Sequence, residues 1–236
     1  MSEGSRSAGR TSHRAGLDRP RVVAAAVELA DRAGLAGASM RALATALGVE
    51  PMSLYNHVAN REDLLDGMVD AVFAEIRRSG GSSPWRTELR ERAVATRAAL
   101  QRHPWAIGLM DSRSASGPST LAHHDAVLGL LLGAGFTTAM SIHAVSVVDS
   151  YVYGYLLQER SLPLSDTKGP RDMAAEFGLT LAATHYPNIA KVAAAHAVDA
   201  AGTESPLDAE FSFGLELILN ALEPDPNDEV EPWVTQ

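Results

Sequence analysis

Residues 39–58 read SMRALATALGVEPMSLYNHV and decide the fold of the N-terminal part of the chain. Ser39 is a good N-cap for a short helix, and Gly48 is suited to end it. A second short helix begins at Pro51. Two short helices joined by a tight turn, with a small residue such as Ala44 where they meet, have the spacing of a helix-turn-helix.

The pattern is helical on both sides of this motif. Asp18 is suited to cap an earlier helix, which we expect to end at Gly34. Asn60, followed three residues later by Asp63, predicts a fourth helix over about 61–78 that starts in the manner of a capping box. The apolar face of this fourth helix is predicted to consist of Leu64, Leu65, Met68, Val69, Val72, Phe73 and Ile76.

The run Gly80-Gly81-Ser82-Ser83-Pro84 breaks the pattern and predicts a domain boundary. No segment alternates with period two for long enough to predict a sheet. We therefore predict an all-α protein with a three-helix head at 17–63 and a larger helical body at 84–223. Residues 1–16 are predicted to be a disordered basic arm and residues 224–236 an acidic mobile tail. Beyond the boundary, long helices are predicted at 85–102, 118–133, 137–159, 170–185 and 206–222.

Composition and charge limit the function. The net charge is −9, but residues 1–61 hold eight Arg and five acidic residues, which leaves +3 on the head and −12 on the rest. A basic head on an acidic body suits a protein that presents one end to phosphate, with ordinary charge scatter as the alternative. The chain has no Cys, no secretory signal and no apolar run of about 18 residues, so we expect a cytoplasmic protein with no membrane partner.

Enzymatic chemistry finds little support. The densest histidine cluster is His123-His124-Asp125, but adjacent side chains on one helix point about 100° apart. No H-x-x-x-H pair with a nearby acid, Gly-rich phosphate loop or nucleophile elbow is present. We predict no enzymatic activity, no metal site and no cofactor.

A longer stretch resembles a known family. Residues 17–68, LDRPRVVAAAVELADRAGLAGASMRALATALGVEPMSLYNHVANREDLLDGM, are similar to the head of tetracycline-repressor (TetR) family regulators, including the L-Y-x-H-V motif, here followed by Arg61. FSFGLELILNALE at 211–223 resembles the last helix of the tetracycline repressor's own subclass. The resemblance implies a homodimeric transcriptional regulator, by family default a repressor, with a double-stranded DNA operator and a small-molecule effector as partners.

The resemblance also implies which head residues contact DNA. Arg41 matches a position that reads guanine, with which arginine pairs through two hydrogen bonds. The alternatives are that Arg41 is a solvated surface residue, that Tyr55 lies partly in the core, and that His57 caps or packs against the fourth helix. The remaining matches are the base-facing Pro51, Met52 and Ser53, the base- or phosphate-contacting Tyr55, Asn56 and His57, and the phosphate clamp Arg61. Because Pro51, Met52 and Asn56 depart from the tetracycline repressor, we expect a different operator.

The body is expected to hold a dimer interface and a ligand pocket. The helix at 137–160 is apolar on nearly every face and is predicted to be buried all round. The resemblance implies that it forms a four-helix interface with 211–222 and their symmetry mates. Candidate interface residues are Tyr151, Tyr155, Phe213, Leu217 and Ile218. Candidate pocket residues are Trp105, Met110, Ile142, Val145, Ser146, Asp149 and Phe177.

Asp149 is the most informative pocket candidate, because a carboxylate in an apolar helix needs a partner or a raised pKa. A bond to a core Tyr or His is the alternative to ligand contact, and Trp105 and Phe177 have core packing as theirs. The magnesium–drug positions of the tetracycline repressor fall on Arg77, Arg92, Thr96, Met110 and Gln158. None of these offers the carboxylate that a hard cation prefers, although Glu159 adjoins Gln158. We therefore expect a largely apolar effector; the alternative is a dimer without one, switched by a protein partner or acting as an activator.

Overall fold

A computed structural model describes residues 16–76, 83–110, 117–161, 185–188, 191 and 206–224. Within these ranges the chain is helical and has no strand, which confirms the all-α prediction. The helices are α1 Arg19–Gly37, α2 Met40–Leu47, α3 Pro51–Leu54, α4 Arg61–Glu75, α5 Trp85–Arg102, α6 Ile107–Met110, α7 Pro118–Gly133, α8 Thr138–Ser161 and α9 Pro206–Ala221. The predicted arm, tail and helix at 170–185 lie outside the described residues except at single terminal positions, and Arg77 and Phe177 lie wholly outside them.

Local hydrogen bonds fix the starts of the head helices. The Asp18 carboxylate accepts from the backbone N–H of Arg21 at 2.9 Å, and the Ser39 hydroxyl accepts from that of Ala42 at 3.2 Å. Each bond satisfies one of the N–H groups that a helix start leaves without a partner. Gly48 ends α2 in the left-handed region, at φ 67° and ψ 37°. These caps confirm the boundaries predicted for the motif.

Two helix ends differ from the prediction. Helical geometry is interrupted at Gly34 (φ 68°, ψ 175°), as expected, but a further turn continues α1 to Gly37. Helix α4 ends at Glu75 rather than near residue 78, with Ile76 in an extended conformation. The short helix α6 was not predicted, since four residues carry too little periodicity to be recognised.

Helix α4 joins the head to the body. It packs against α1 of the head and against α5 and α7 of the body, while α8 packs on α5, α7 and α9. All seven residues of its predicted apolar face are buried, which confirms that face: Leu64, Leu65, Met68, Val69, Val72, Phe73 and Ile76. Because α4 packs against helices of both the head and the body, its position determines where the head lies relative to the body.

A carboxylate on α4 also caps a body helix. Asp70 Oδ1 accepts from the backbone N–H of Thr120 at 2.8 Å and from its hydroxyl at 3.1 Å. The N-cap of α7 is Gly117, which has no side chain to do this. A Cβ at Gly117 would clash with the Asp70 carboxyl, so the glycine permits the close approach. Among the described helices, none is both long and apolar enough to cross a membrane.

Candidate nucleic-acid interface

The candidate DNA-reading surface is the one-turn helix α3 and the turn after it. Met52 is 74% exposed and Tyr55 is 44% exposed, whereas Leu54 between them is fully buried. Of the two alternatives for Tyr55, the exposure therefore supports the outward one. The other predicted contacts lie beside them, with Pro51 and Asn56 exposed and Ser53 and His57 half-buried.

Helix α2 holds α3 at the surface. Leu43 and Ala44 of α2 are buried in one core with Leu54 and Val58. The backbone N–H of Val49 donates to the carbonyl of Ala44 at 3.0 Å, which closes the turn between the helices. The small Ala44 side chain lets the two helices approach closely, so the outer face of α3 stands clear of the rest of the head.

Two arginines flank this surface in different ways. Arg41 is exposed, and its side chain makes no hydrogen bond or ion pair within the described ranges. Arg61 is also exposed, but its guanidinium lies 3.4 Å from the carbonyl oxygens of Leu35 and Ala38. Arg61 therefore links the start of α4 to the connection between α1 and α2, a contact that the sequence did not predict.

A charged cluster lies where the head meets the body. The buried His103 places Nδ1 2.8 Å from Asp31 Oδ1 on α1 and Nε2 3.1 Å from Glu75 Oε1 on α4. Trp105 Nε1 donates to the same Asp31 oxygen at 2.6 Å, and Arg102 donates to Glu75 at 2.8 Å. Burial opposes ionisation of Glu75, yet hydrogen bonds from Arg102 and His103 hold its pKa below the ordinary 4.5.

This cluster changes the interpretation of Trp105, which was predicted to line a ligand pocket. The indole is buried, and its one polar group is used on Asp31 of the head. A buried indole N–H needs an acceptor, and the carboxylate provides it. Trp105 is therefore a residue of the head–body junction.

A second polar network lies inside the body. Arg92 Nη1 lies 3.0 Å from Asp149 Oδ1, and Arg92 Nε donates to His123 Nε2 at 2.8 Å. The partner of Asp149 is thus an arginine, not the Tyr or His considered from the sequence. The Nη1 and Oδ1 atoms are close but poorly aligned, so neither forms a hydrogen bond. Burial and the positive charge of Arg92 lower the pKa of His123 to about 3.

His123 and His124 both make internal contacts in the body. The His124 ring nitrogen Nδ1 lies 2.8 Å from the carbonyl oxygen of Thr120, and both His123 and His124 pack against Phe73 of α4. In the described part of the chain, no three His, Cys, Asp or Glu side chains are grouped so as to hold a metal ion.

The predicted pocket residues are only partly brought together. Val145 and Asp149 are half-buried on α8, but Ile142 is 53% exposed and Ser146 is exposed too. The buried side of α8 is formed by other residues, so within a single subunit Ile142 and Ser146 lie outside the core and their place in a pocket stays a prediction. Met110 is half-buried at the end of α6.

Two cavities are described, and none of the predicted pocket residues lines either. One, of about 490 Å³, is an open groove lined by Ser83, Trp85, Ala126, Gly129, Leu130, Gly133 and Ala134. The other, of about 230 Å³, lies between α4 and α7 and is lined by Phe73, Ala74, Pro118, Ser119 and Ala122.

Glu159, the carboxylate beside Gln158, accepts from Arg97 and Gln101, both at 3.0 Å.

The predicted interface residues fall into two groups. Tyr151 donates to the carbonyl of Phe211 at 2.9 Å and Tyr155 to that of Leu207 at 2.6 Å, so both tyrosines fasten α8 to α9 within one subunit. In contrast, Phe213 is 65% and Leu217 58% exposed, and Ile218 is half-buried.

Helix α8 is covered on one side within a single subunit. Its buried side consists of Ser141, Ala144, Val148, Val152 and Leu156. Val147 and Leu157, about half exposed, lie outside that side. A single subunit therefore leaves apolar side chains of α8 and α9 uncovered, and the expected burial of α8 all round, which includes a partner subunit, stays a prediction.

Comparison with known proteins identifies the two parts of the chain. Residues 22–68 match the family model for bacterial regulatory proteins of the tetR family, and residues 80–225 match the tetracyclin repressor-like C-terminal domain. An HTH-type transcriptional regulator of Saccharopolyspora erythraea is 38% identical over 175 residues, which cover 74% of each protein. The transcriptional repressor DrrR1 of Streptomyces coeruleorubidus is 36% identical over 216 residues, covering 88% of this chain and 77% of DrrR1.

Solved structures agree with this assignment. The Streptomyces coelicolor TetR family protein ActR, in complex with actinorhodin, superposes with a TM-score of 0.70 at 26% identity, covering 87% of this chain and 95% of ActR. The helical fold is thus shared with a TetR family protein over most of both chains. The chain belongs to the TetR family of bacterial transcriptional regulators.

Proposed function

We propose that this regulator is a repressor that binds a palindromic operator as a homodimer and is released by a small, largely apolar molecule bound in its body. The observation that carries the proposal is the exposed surface of α3. Met52 and Tyr55 extend into solvent on either side of the fully buried Leu54. In the major groove, such side chains have partners in the thymine methyl group and the phosphates.

The arginines of the head also support the proposal that α3 faces the DNA. Arg41 is exposed without an internal partner among the described residues, which leaves its guanidinium free to pair with guanine or phosphate. Arg61 remains exposed while it contacts two carbonyl groups, so it is still positioned to serve as a phosphate clamp. With the other base-facing candidates, these residues form the proposed contact set: Arg41, Pro51, Met52, Ser53, Tyr55, Asn56, His57 and Arg61.

The uncovered apolar side chains of α8 and α9 support the homodimer. Phe213 and Leu217 on α9 and Leu157 on α8 are each more than half exposed. A two-fold interface between these helices and their symmetry mates buries such residues. It also sets two copies of α3 about 34–36 Å apart, one turn of DNA, which requires a palindromic site.

The effector is proposed to bind near the Arg92–Asp149 pair. The poorly aligned Nη1 and Oδ1 atoms leave hydrogen-bonding capacity unused inside an apolar body. ActR, whose fold this chain shares, has been solved with actinorhodin, which supports a small-molecule site. Arg92 and Thr96 at the drug positions, and Glu159 already paired with Arg97, favour an effector other than tetracycline–magnesium. Met110, Val145 and Phe177 remain candidate wall residues.

Release then proceeds through α4. Phe73 of α4 packs against His123, the hydrogen-bond partner of Arg92. An effector that displaces this network moves α4, and with it the spacing of the two heads. A coupling free energy of about 1–3 kcal/mol between the two sites changes operator affinity roughly 5–150-fold.

The test uses the purified homodimer and an operator defined by random-sequence selection, checked against the DNA flanking its own gene. Binding is followed by fluorescence anisotropy at fixed salt for the wild type and the Tyr55→Ala and Arg41→Ala variants. Each variant is expected to lose about 1–3 kcal/mol of operator binding free energy. Arg32→Ala is the matched control, because Arg32 is an exposed head arginine whose partner among the described residues is Glu28, also on α1.

Two results would count against the proposal. Sequence-blind binding that all three variants leave unchanged contradicts operator recognition by α3. The proposal of a small-molecule effector is contradicted if the dimer still binds the operator when it is saturated with each small molecule that binds its body. That result favours a switch by a protein partner.

A further inference from the structure

An ion pair contacts the backbone of the turn that follows α3, at residues 55–59. Arg19, the first residue of α1, donates from Nη1 to Asp63 Oδ2 at 2.8 Å and from Nη2 to Asp63 Oδ1 at 2.7 Å. Such a two-point pair between a planar guanidinium and a carboxylate fixes orientation as well as distance. The residues are 44 positions apart in sequence, so the pair ties the start of α1 to the start of α4.

Both members of the ion pair also bond to the backbone of this turn. Arg19 Nη1 lies 3.4 Å from the carbonyl oxygen of His57, and Asp63 Oδ2 accepts from the backbone N–H of Ala59 at 2.7 Å. Asp63 in turn donates its own N–H to Asn60 Oδ1 at 2.9 Å. The backbone at His57 and Ala59, shortly after Tyr55 and Asn56, is thus bonded at two points to the same ion pair.

The packing between α1 and α4 leaves room for this pair. A Cβ at Gly67 would lie 2.9 Å from Val23 Cγ2 and 3.3 Å from Arg19 Nη2. The absence of a side chain at this position on α4 lets α1 approach closely enough for the guanidinium to reach both Asp63 and His57. The hydrogen bond from Arg19, and then that from Ala59, hold the pKa of Asp63 below its ordinary 3.8.

Global stability does not account for the pair. The side chains of Arg19 and Asp63 are 43% and 31% exposed, and ion pairs of this exposure contribute little to unfolding free energy. A carboxylate close to a DNA-binding surface also repels phosphate. Asp63 also belongs to the capping box at the start of α4, but that box does not need Arg19, so the two-point pair is explained by a need to fix this backbone for recognition.

We propose that Arg19 and Asp63 are positioning residues, which hold the 55–59 backbone so that α3 presents its side chains to the bases. This inference rests on the proposed operator binding. It makes a prediction whose sign is opposite to that of simple charge repulsion. Removing the Asp63 charge weakens operator binding if the residue positions the backbone, and strengthens it if the residue only repels phosphate.

The experiment measures the dissociation constants of the homodimer for its selected operator and for a scrambled duplex, at one salt concentration. Asp63→Asn is expected to weaken operator binding about three- to tenfold, the equivalent of one lost hydrogen bond, while binding to the scrambled duplex stays equal or tightens. Arg19→Lys, which keeps the charge but not the two-point geometry, is expected to weaken operator binding as well. Melting temperatures establish that both variants are folded.

Glu50→Gln is the matched charge control, because Glu50 directly precedes α3 and its side chain caps nothing. It is expected to leave the ratio of operator to scrambled affinity unchanged. The inference is overturned if Asp63→Asn binds the operator as tightly as the wild type or more tightly, in parallel with Glu50→Gln. If the wild type itself shows no preference for any sequence, the proposed function fails first, and the two failures are thereby distinguished.

Discussion

Arg92 Nε donates to His123 Nε2 at 2.8 Å, so the imidazole must keep that nitrogen unprotonated. A proton there would place two cations in contact inside the body. Burial and Arg92 together lower the pKa of His123 from the ordinary 6.5 to about 3. The folded protein therefore binds this proton less readily than the unfolded chain.

The first prediction concerns the acid side of the stability profile. Stability from His123 is fully present above pH 6.5 and is lost as the pH falls toward 3, because only the unfolded chain gains the proton in that range. Between pH 7 and pH 5 the loss from this group is about 2 kcal/mol. His123→Gln, whose amide oxygen accepts the same hydrogen bond, is expected to lose correspondingly less. Urea unfolding at both pH values, at one protein concentration, measures the difference; equal losses in the two proteins would contradict it.

The second prediction concerns the buried ion pair. Arg92→Met leaves the Asp149 carboxylate without its partner, and we expect the free energy of unfolding to fall by about 3–5 kcal/mol. The double variant Arg92→Met/Asp149→Leu is expected to recover most of that loss. Arg90→Met is the control, because its partner Glu216 is at the surface and its loss should be about 1 kcal/mol or less. A double variant no more stable than Arg92→Met would show that the pair is not the cause.

The third prediction concerns the uncovered face of α9. Phe213→Asp places a charge on each subunit at the proposed two-fold interface, at a cost on the order of several kcal/mol of association free energy. We expect sedimentation velocity to show monomers at concentrations where the wild type is a dimer. Val94→Asp, at a half-exposed apolar site on α5, should leave the dimer intact. Dissociation by both variants, or by neither, would place the interface elsewhere.

The fourth prediction concerns the junction between head and body. Trp105→Phe removes the N–H that donates to Asp31, and Asp31→Asn weakens the acceptor for both Trp105 and His103. A double-mutant cycle is expected to give a coupling energy of about 1–2 kcal/mol in unfolding free energy. Additive effects would mean that the two side chains are neighbours without a significant bond.

Features that depend on local sequence were predictable. The caps at Asp18, Ser39 and Asn60 act on N–H groups three residues away, so spacing alone identifies them. The buried face of α4 follows from helical periodicity, and the motif around Gly48 from the conformation that glycine permits.

Features that join distant residues were not predictable. Arg19 and Asp63 are 44 residues apart, Arg92 and Asp149 57 apart, and Asp31 and Trp105 74 apart. No spacing rule connects such positions, because their meeting depends on how whole helices pack. For the same reason the sequence does not show which side of α8 its own chain covers, because an apolar surface indicates that something covers a residue without indicating what covers it.

A recognition element of a single helical turn has a further consequence. Four residues are too few to form a stable helix in isolation, so α3 takes its conformation from α2 and from the buried Leu54. The exposed Pro51, Met52 and Asn56 contribute almost nothing to the core. If α3 reads the operator as proposed, substitutions at these three positions change which sequence is read while the scaffold stays folded, so the specificity is open to evolution and to redesign one side chain at a time.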